Sequence, residues 1–228
     1  NVGEKYTIKA YVYDAETNTP IKDKDGKPVV ITKSVTASSD NGTKNVDINL
    51  DAEALGLGGK TIVIYNEVVK DKTGKVVASH NDPTDTDMQI RFPDIATQGV
   101  SKNTGIGIEK AKKDVTLVDT VSYKAFEKGK KYTLKTRLYD KTADKYVALS
   151  GAESAKETVF KADNTSGSVK VEVTIDASDL ENHSLVFYEE VYKGSNVYAK
   201  HVNKNAAEQT VRFPKIILAK QAAAAAAS

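Results

Sequence analysis

No cysteine and no tryptophan occur among the 228 residues, and methionine occurs once. Absence of cysteine excludes disulfides, thiolate nucleophiles and zinc sites of the cysteine type. Histidine is nearly as scarce, at His80, His183 and His201 only, so a hydrolase or metalloenzyme built on imidazole is thinly supplied. No window holds the roughly 18 consecutive apolar residues of a membrane-spanning helix, so no membrane insertion is expected of this segment. Charge of one sign is missing as well. Thirty-three basic and 31 acidic residues are interspersed along the chain and leave a formal charge of +2, whereas a nucleic-acid surface needs clustered Lys and Arg.

What is present is a repeat. Gly3-Glu-Lys-Tyr-Thr-Ile-Lys-Ala-Tyr-Val-Tyr-Asp14 matches Gly129-Lys-Lys-Tyr-Thr-Leu-Lys-Thr-Arg-Leu-Tyr-Asp140 at an offset of 126. Asp51-Ala-Glu-Ala-Leu55 matches Asp176-Ala-Ser-Asp-Leu180 at 125, and Ile64-Tyr-Asn-Glu-Val68 matches Phe187-Tyr-Glu-Glu-Val191 at 123. His80 through Arg91-Phe-Pro93 matches His201 through Arg212-Phe-Pro214 at 121. Such slow drift marks small loop insertions between two copies of one unit. The matches divide the chain at 1–93, 94–215 and 216–228, the last being the start of a next repeat or residues outside the fold, with six consecutive alanines in it. The first copy begins only at the equivalent of Lys128, so it lacks a counterpart of Ile95–Glu127.

Inside each copy the apolar pattern has period two. Tyr132, Leu134, Thr136 and Leu138 alternate against Thr133, Lys135 and Arg137; Val169, Val171, Val173 and Ile175 alternate against Lys170, Glu172 and Thr174. That is the signature of strands with one buried and one wet face in an antiparallel sheet. Turn residues punctuate the runs at Lys72-Thr-Gly-Lys75, Asn164-Thr-Ser-Gly167 and Lys193-Gly-Ser-Asn196. Helical hints are confined to Asp51–Leu55 and Asp176–Leu180. The expected fold is all-β, with two tandem immunoglobulin-like β-sandwich domains, the first lacking its opening strands.

The run Val118-Asp-Thr-Val-Ser-Tyr-Lys-Ala-Phe-Glu-Lys-Gly-Lys-Lys-Tyr-Thr-Leu134 resembles the VaFE repeats, also described as Thr–Gln ester-bond domains, of Gram-positive bacterial surface adhesins. The likeness extends to an early Thr97 in Ile95-Ala-Thr-Gln98, an acid at Glu189 within Val186-Phe-Tyr-Glu-Glu-Val191, and His201 followed eight residues on by Gln209-Thr210. The resemblance implies that Thr97 is a nucleophile, Gln209 an acyl donor, and Glu189 and His201 proton handlers, which join the first and last strands through an ester as ammonia leaves. The parts make chemical sense. A hydroxyl needs a base, an amide needs a donor for its developing oxyanion, and apolar surroundings raise a Glu into the proton-shuttling range.

Two departures stand out. The family usually carries an Asp three residues before the Gln, and Ala206 stands there. The first copy has Asp85 at that place but Met88 where the Gln belongs and Asn66 for the acid. Gln89, one residue on, points to the other sheet face by the period-two rule, so the first copy is not expected to close such a bond. Of Glu189 and Glu190, alternation sends one inward. The cluster Asn81-Asp-Pro-Thr-Asp-Thr-Asp87 has oxygen spacing reminiscent of calcium loops but lacks the EF-hand glycine and terminal Glu, and no metal site is assigned.

The resemblance implies a structural stalk segment of a cell-wall-anchored adhesin or pilus-like fibre, extracellular on the bacterial surface. Its only chemistry would be self-directed and single-use; it would need no cofactor and bind no nucleic acid. Expected partners are neighbouring repeats and other fibre subunits. Alternatives are a ligand-binding adhesin module, for which eleven tyrosines supply contacts, or a fibre subunit completed by a donated strand such as Ile216-Ile-Leu218.

Overall fold

Alternating Val, Ile, Thr and Tyr favour extended backbone, because branched and aromatic side chains fit a pleated, half-buried surface. The computed structural model describes residues 2–215 and is built from strands throughout; Ile216-Ile-Leu218 and the alanine tail lie outside the described residues. The chain divides into two units, one holding residues up to 94 together with 123–127, the other residues 95–122 and those from 128 onward.

In the first unit, β1 (Lys5–Asp14), β2 (Thr19–Pro20), β3 (Val30–Thr36), β4 (Lys60–Lys70), β5 (Lys75–His80) and β6 (Gln89–Phe92) form one six-stranded sheet. β1 and β4 run antiparallel through its centre, with Ala10 opposite Asn66. Ala10, Val12, Ile62 and Ile64 on these strands make the core with Ile21 and Leu57. A 3-10 turn, Thr86–Met88, is the only helical element among the described residues. The helical hints at Asp51–Leu55 and Asp176–Leu180 are turns instead. In each, the leading Asp accepts a backbone N–H from within the turn, of Ala54 and Ser178 respectively, and no second helical turn follows.

The second unit repeats this sheet with β9 (Lys131–Asp140), β10 (Lys145–Val147), β11 (Lys156–Lys161), β13 (His183–Lys193), β14 (Asn196–His201) and β15 (Thr210–Phe213). It adds a three-stranded sheet of β7 (Asp94–Ser101), β8 (Val115–Lys124) and β12 (Gly167–Ile175), in the order β12-β8-β7. The inward faces of the two sheets enclose Leu117, Leu134, Leu138, Ile175, Leu185, Phe187 and Phe213, all buried. Fully burying each such side chain contributes about 1.5–3 kcal/mol.

The two units differ where the three-stranded sheet would be. Residues 42–50, which match β12 in sequence, adopt no strand pairing in the first unit. Their alternation survives: Val46, Ile48 and Leu50 are half-buried and pack on the core, while the residues between them are exposed. A strand needs a partner for its N–H and C=O groups, and β8, which pairs with β12, has no counterpart here among the described residues. The face left open holds a cleft of about 490 Å³ lined by Ile8, Val46, Ile48, Ile64, Asn66 and Met88.

Candidate functional site

β13 positions the centre of the site. One of its edges pairs with β9; along the other edge lie β14, which ends at His201 opposite Glu189, and β15, which begins at Thr210 opposite Val186. The chain between them leaves the sheet and returns at Gln209, whose carbonyl accepts the N–H of Phe187 at 3.1 Å. Period two then brings Phe187, Glu189 and Val191 to the inner face, all fully buried. Glu190 faces outward and pairs with Arg137 at 2.7 Å. Of the two adjacent acids, Glu189 is therefore the inward one.

β7 lies against the returning segment. The Gly99 N–H donates to Glu208 O at 2.8 Å, so the unit's opening strand and closing segment are neighbours. Ile95, Thr97, Gly99 and Ser101 share the buried face of β7. Across this junction the Gln209 carboxamide Nε2 donates to the Thr97 hydroxyl Oγ1 at 2.5 Å, although the residues are 112 positions apart. Thr97 is 6% exposed and Gln209 not at all. This is tighter than an ordinary N–H···O contact, whose usual range is about 2.7–3.2 Å.

The acids sit behind this pair. Thr136 on β9 donates its hydroxyl to Glu189 Oε2 at 2.8 Å. Asp119 on β8, fully buried, interacts with Glu189, with Thr97 and with the backbone of Gln98, although neither of its oxygens completes a hydrogen bond of good geometry. Glu189 Oε1 and Gln209 Oε1 also lack a donor. Buried acceptors without donors are costly. Here the shortage has a physical remedy, since a carboxylic acid that keeps its proton becomes a donor. Burial pushes Glu189 well above the usual carboxyl range, and the neighbouring Asp119 charge pushes it further. Burial raises Asp119 too, partly offset by its contacts with Glu189 and Thr97. Two acids facing each other in a dry interior do not both ionise, so the pair holds a proton beside the hydroxyl and the amide.

Asp119 escapes a reading for family motifs, yet its signal lies in the sequence. Val115, Leu117, Asp119 and Val121 occupy one face of β8, and the acid interrupts an apolar phase. His201 is brought opposite Glu189 on β14 but is half-buried and makes no hydrogen bond with Thr97 or Gln209. Its counterpart shows what is missing: His80 Nε2 meets Asp85 Oδ2 at 2.8 Å, and Ala206 occupies the Asp85 place in the second unit. The first unit thus keeps the His–Asp pair, while the acid and the amide are replaced by Asn66 and Met88. Gln89 donates its side-chain amide to Pro83 O. In the acidic cluster, Asp82 Oδ1 accepts from Thr84 and Asp85 Oδ1 from Asp87 N. No group of three His, Asp or Glu side chains converges on a metal position among the described residues.

The model of a family described as the T-Q ester bond containing domain matches residues 1–92 and again 93–213. Among proteins with curated descriptions none matches. Of solved structures, a bacterial adhesin from Mobiluncus mulieris containing intramolecular disulfide, isopeptide and ester bond cross-links is similar in two crystal forms. Identities are 17% and 19%, with TM-scores of 0.43 and 0.44 over 54% of this chain, which spans 57% of that one. A glycosyl hydrolase family 2 member from Bacteroides cellulosilyticus is 10% identical over 87% of this chain and 26% of its own, with a TM-score of 0.39.

Proposed function

Because the chain belongs to the family of T-Q ester bond containing domains, carrying two copies, we propose that the second copy closes an ester between Thr97 and Gln209. We further propose that the closed unit serves as a load-bearing stalk segment of a bacterial surface adhesin or fibre, outside the cell. The observation that carries this reading is the buried 2.5 Å contact between the Thr97 hydroxyl and the Gln209 carboxamide, made across 112 residues.

In the proposed reaction Asp119, as carboxylate, takes the Thr97 proton while Oγ1 attacks Gln209 Cδ. Glu189 holds the pair's one proton, which stabilises the oxyanion and then protonates the amide nitrogen. The Oγ1–Cδ bond forms, the Cδ–Nε2 bond breaks, and ammonia leaves with the proton from Glu189, while the hydroxyl proton stays on Asp119, so the acid pair ends with one proton as it began. His201, half-buried opposite Glu189, is the route by which that proton exchanges with solvent. Holding the reactants in contact supplies the effective concentration that an unactivated hydroxyl and amide lack. The event occurs once per molecule and needs no cofactor.

An ester here benefits a stalk because it joins the opening strand to the segment before the closing one. Force that enters at β7 and leaves near β15 then passes through covalent bonds and bypasses the chain between Thr97 and Gln209. Unfolded, those 112 positions would extend by about 370 Å at ~3.3 Å per residue. Single-molecule pulling tests the reading: the wild-type second unit should show no lengthening of that size, and Thr97→Ala should. A wild-type unit that lengthens fully under load contradicts the proposal.

A second reading is favoured by the open face of the first unit. Its unpaired 42–50 segment and its apolar cleft suit an added strand, supplied in this reading by another subunit. A synthetic peptide of residues 94–124 is a probe for it; saturable binding that Ile48→Asp abolishes supports it, and no binding rejects it.

A further inference from the structure

We propose that Gly99 is a positioning residue for closure of the ester: its missing side chain is what lets β7 come near enough for Thr97 to meet Gln209. The inference rests on the proposed ester but concerns a residue that takes no part in its chemistry.

The need for glycine is spatial. The backbone of Gly99 lies outside the left-handed region that excludes other residues, so its conformation would suit any of them. A Cβ placed on it would stand 2.5 and 2.7 Å from Cδ2 and Cε2 of Phe187 and 3.1 Å from the Gln209 carbonyl oxygen. Carbon atoms pack at about 3.5–4.0 Å. Neither neighbour is free to yield. The Phe187 ring is fully buried, and the Gln209 carbonyl is held by the Phe187 N–H. Gly99 itself is fixed by its bond to Glu208 O. An added methyl therefore displaces β7 from the segment that carries Gln209 by roughly 1 Å, judged against that packing distance. Thr97 is two residues away on the same face of the same strand, so it moves with it. A misplacement of about 1 Å costs on the order of 10²-fold in rate where reaction depends on held geometry.

In the first unit, Ile64 stands at the Phe187 position and Met88 at the Gln209 position, so a ring against a bare backbone is a feature of the copy with the reactive pair.

The test follows ester closure in the full chain by intact mass at intervals after cell-free synthesis, since closure removes one ammonia. Wild type and Phe187→Leu should close. Gly99→Ala should close on the order of 10²-fold more slowly, and Gly99→Ala with Phe187→Leu should recover most of that loss, because the smaller side chain makes room. Recovery separates positioning from general damage to the fold. Melting of Thr97→Ala with and without Gly99→Ala, neither able to close, reads the effect of the methyl on folding. If that pair does not fold, the same comparison is made with Phe187→Leu added. Closure of Gly99→Ala at the wild-type rate overturns the proposal, as does slow closure that Phe187→Leu does not relieve. A wild type that keeps its full mass overturns the ester itself and is thereby distinguished from either result.

Discussion

Replacing Thr97 with alanine and Gln209 with leucine together should lower the melting temperature of the second unit by roughly 15–20 °C. Thr97 and Gln209 are 112 positions apart, and a covalent closure of that length removes about 4–5 kcal/mol of chain entropy from the unfolded state if an ester acts as a disulfide does. A unit the size of residues 93–213 unfolds with an entropy of about 0.25 kcal/mol/K near 60 °C, and the ratio of the two sets the shift. The double variant is the better perturbation for a reason visible in the site. Thr97→Ala alone also strips the buried Gln209 amide of its partner, an effect of about 1–3 kcal/mol even where no ester forms. Exchanging both polar groups for apolar ones is close to neutral in hydrogen bonding, so the remaining loss reports the closure. Calorimetry resolves the transition, with Thr97→Ser, which retains the hydroxyl, as the control that stays near wild type. A double variant melting within a few degrees of wild type would mean that no covalent closure joins Thr97 to Gln209.

Three further outcomes are expected. In Thr97→Ala, which stays open, Glu189 keeps its proton in the fold at a pH where the unfolded chain has lost it. The native state then binds more protons, so stability falls as pH rises from about 4.5, the ordinary Glu value, toward the raised native one; chemical denaturation across that window should show the slope, and Glu189→Gln should flatten it. Asp119→Asn removes the base nearest Thr97 and should slow ammonia loss by about 10²–10⁴-fold, read by intact mass; unchanged closure would exclude Asp119 as the base. Ala206→Asp should give His201 the partner that Asp85 gives His80 and speed closure, read by intact mass; closure at the wild-type rate would mean that the loop does not bring the new carboxylate within reach.

Much of the fold is legible in the sequence because one period governs it. The alternation of Tyr132, Leu134, Thr136 and Leu138 states which face of β9 is buried, and the repeat carries the same reading to β1. The turns at Asp51 and Asp176 are less so: a helical start and an Asp-led turn share the same capping residue, and only the following residues' lack of continued pairing separates them. Residues 42–50 alternate as a strand's would, but pairing is a property of the neighbour, which that stretch cannot encode. The site divides the same way. Thr97, Gln209 and Glu189 are named by the resemblance to a family, and alternation adds only that one of Glu189 and Glu190 must turn inward. Asp119 needs the apposition of two sheets before its oddity on an apolar face gains meaning. That Gly99 must be bare is invisible without the Phe187 ring above it, and that the Asp missing at Ala206 would have partnered His201 shows only once His80 is seen on Asp85.

The most direct measurement is peptide mapping by tandem mass spectrometry after tryptic cleavage of the wild-type chain. Cuts after Arg91, Lys102, Lys204 and Arg212 release Thr97 and Gln209 in separate peptides, 92–102 and 205–212, if nothing joins them. One branched species of the two peptides less one ammonia is expected, with fragment ions placing the junction at Thr97 and Gln209. Recovery of both peptides unlinked, each at its full mass, would contradict it.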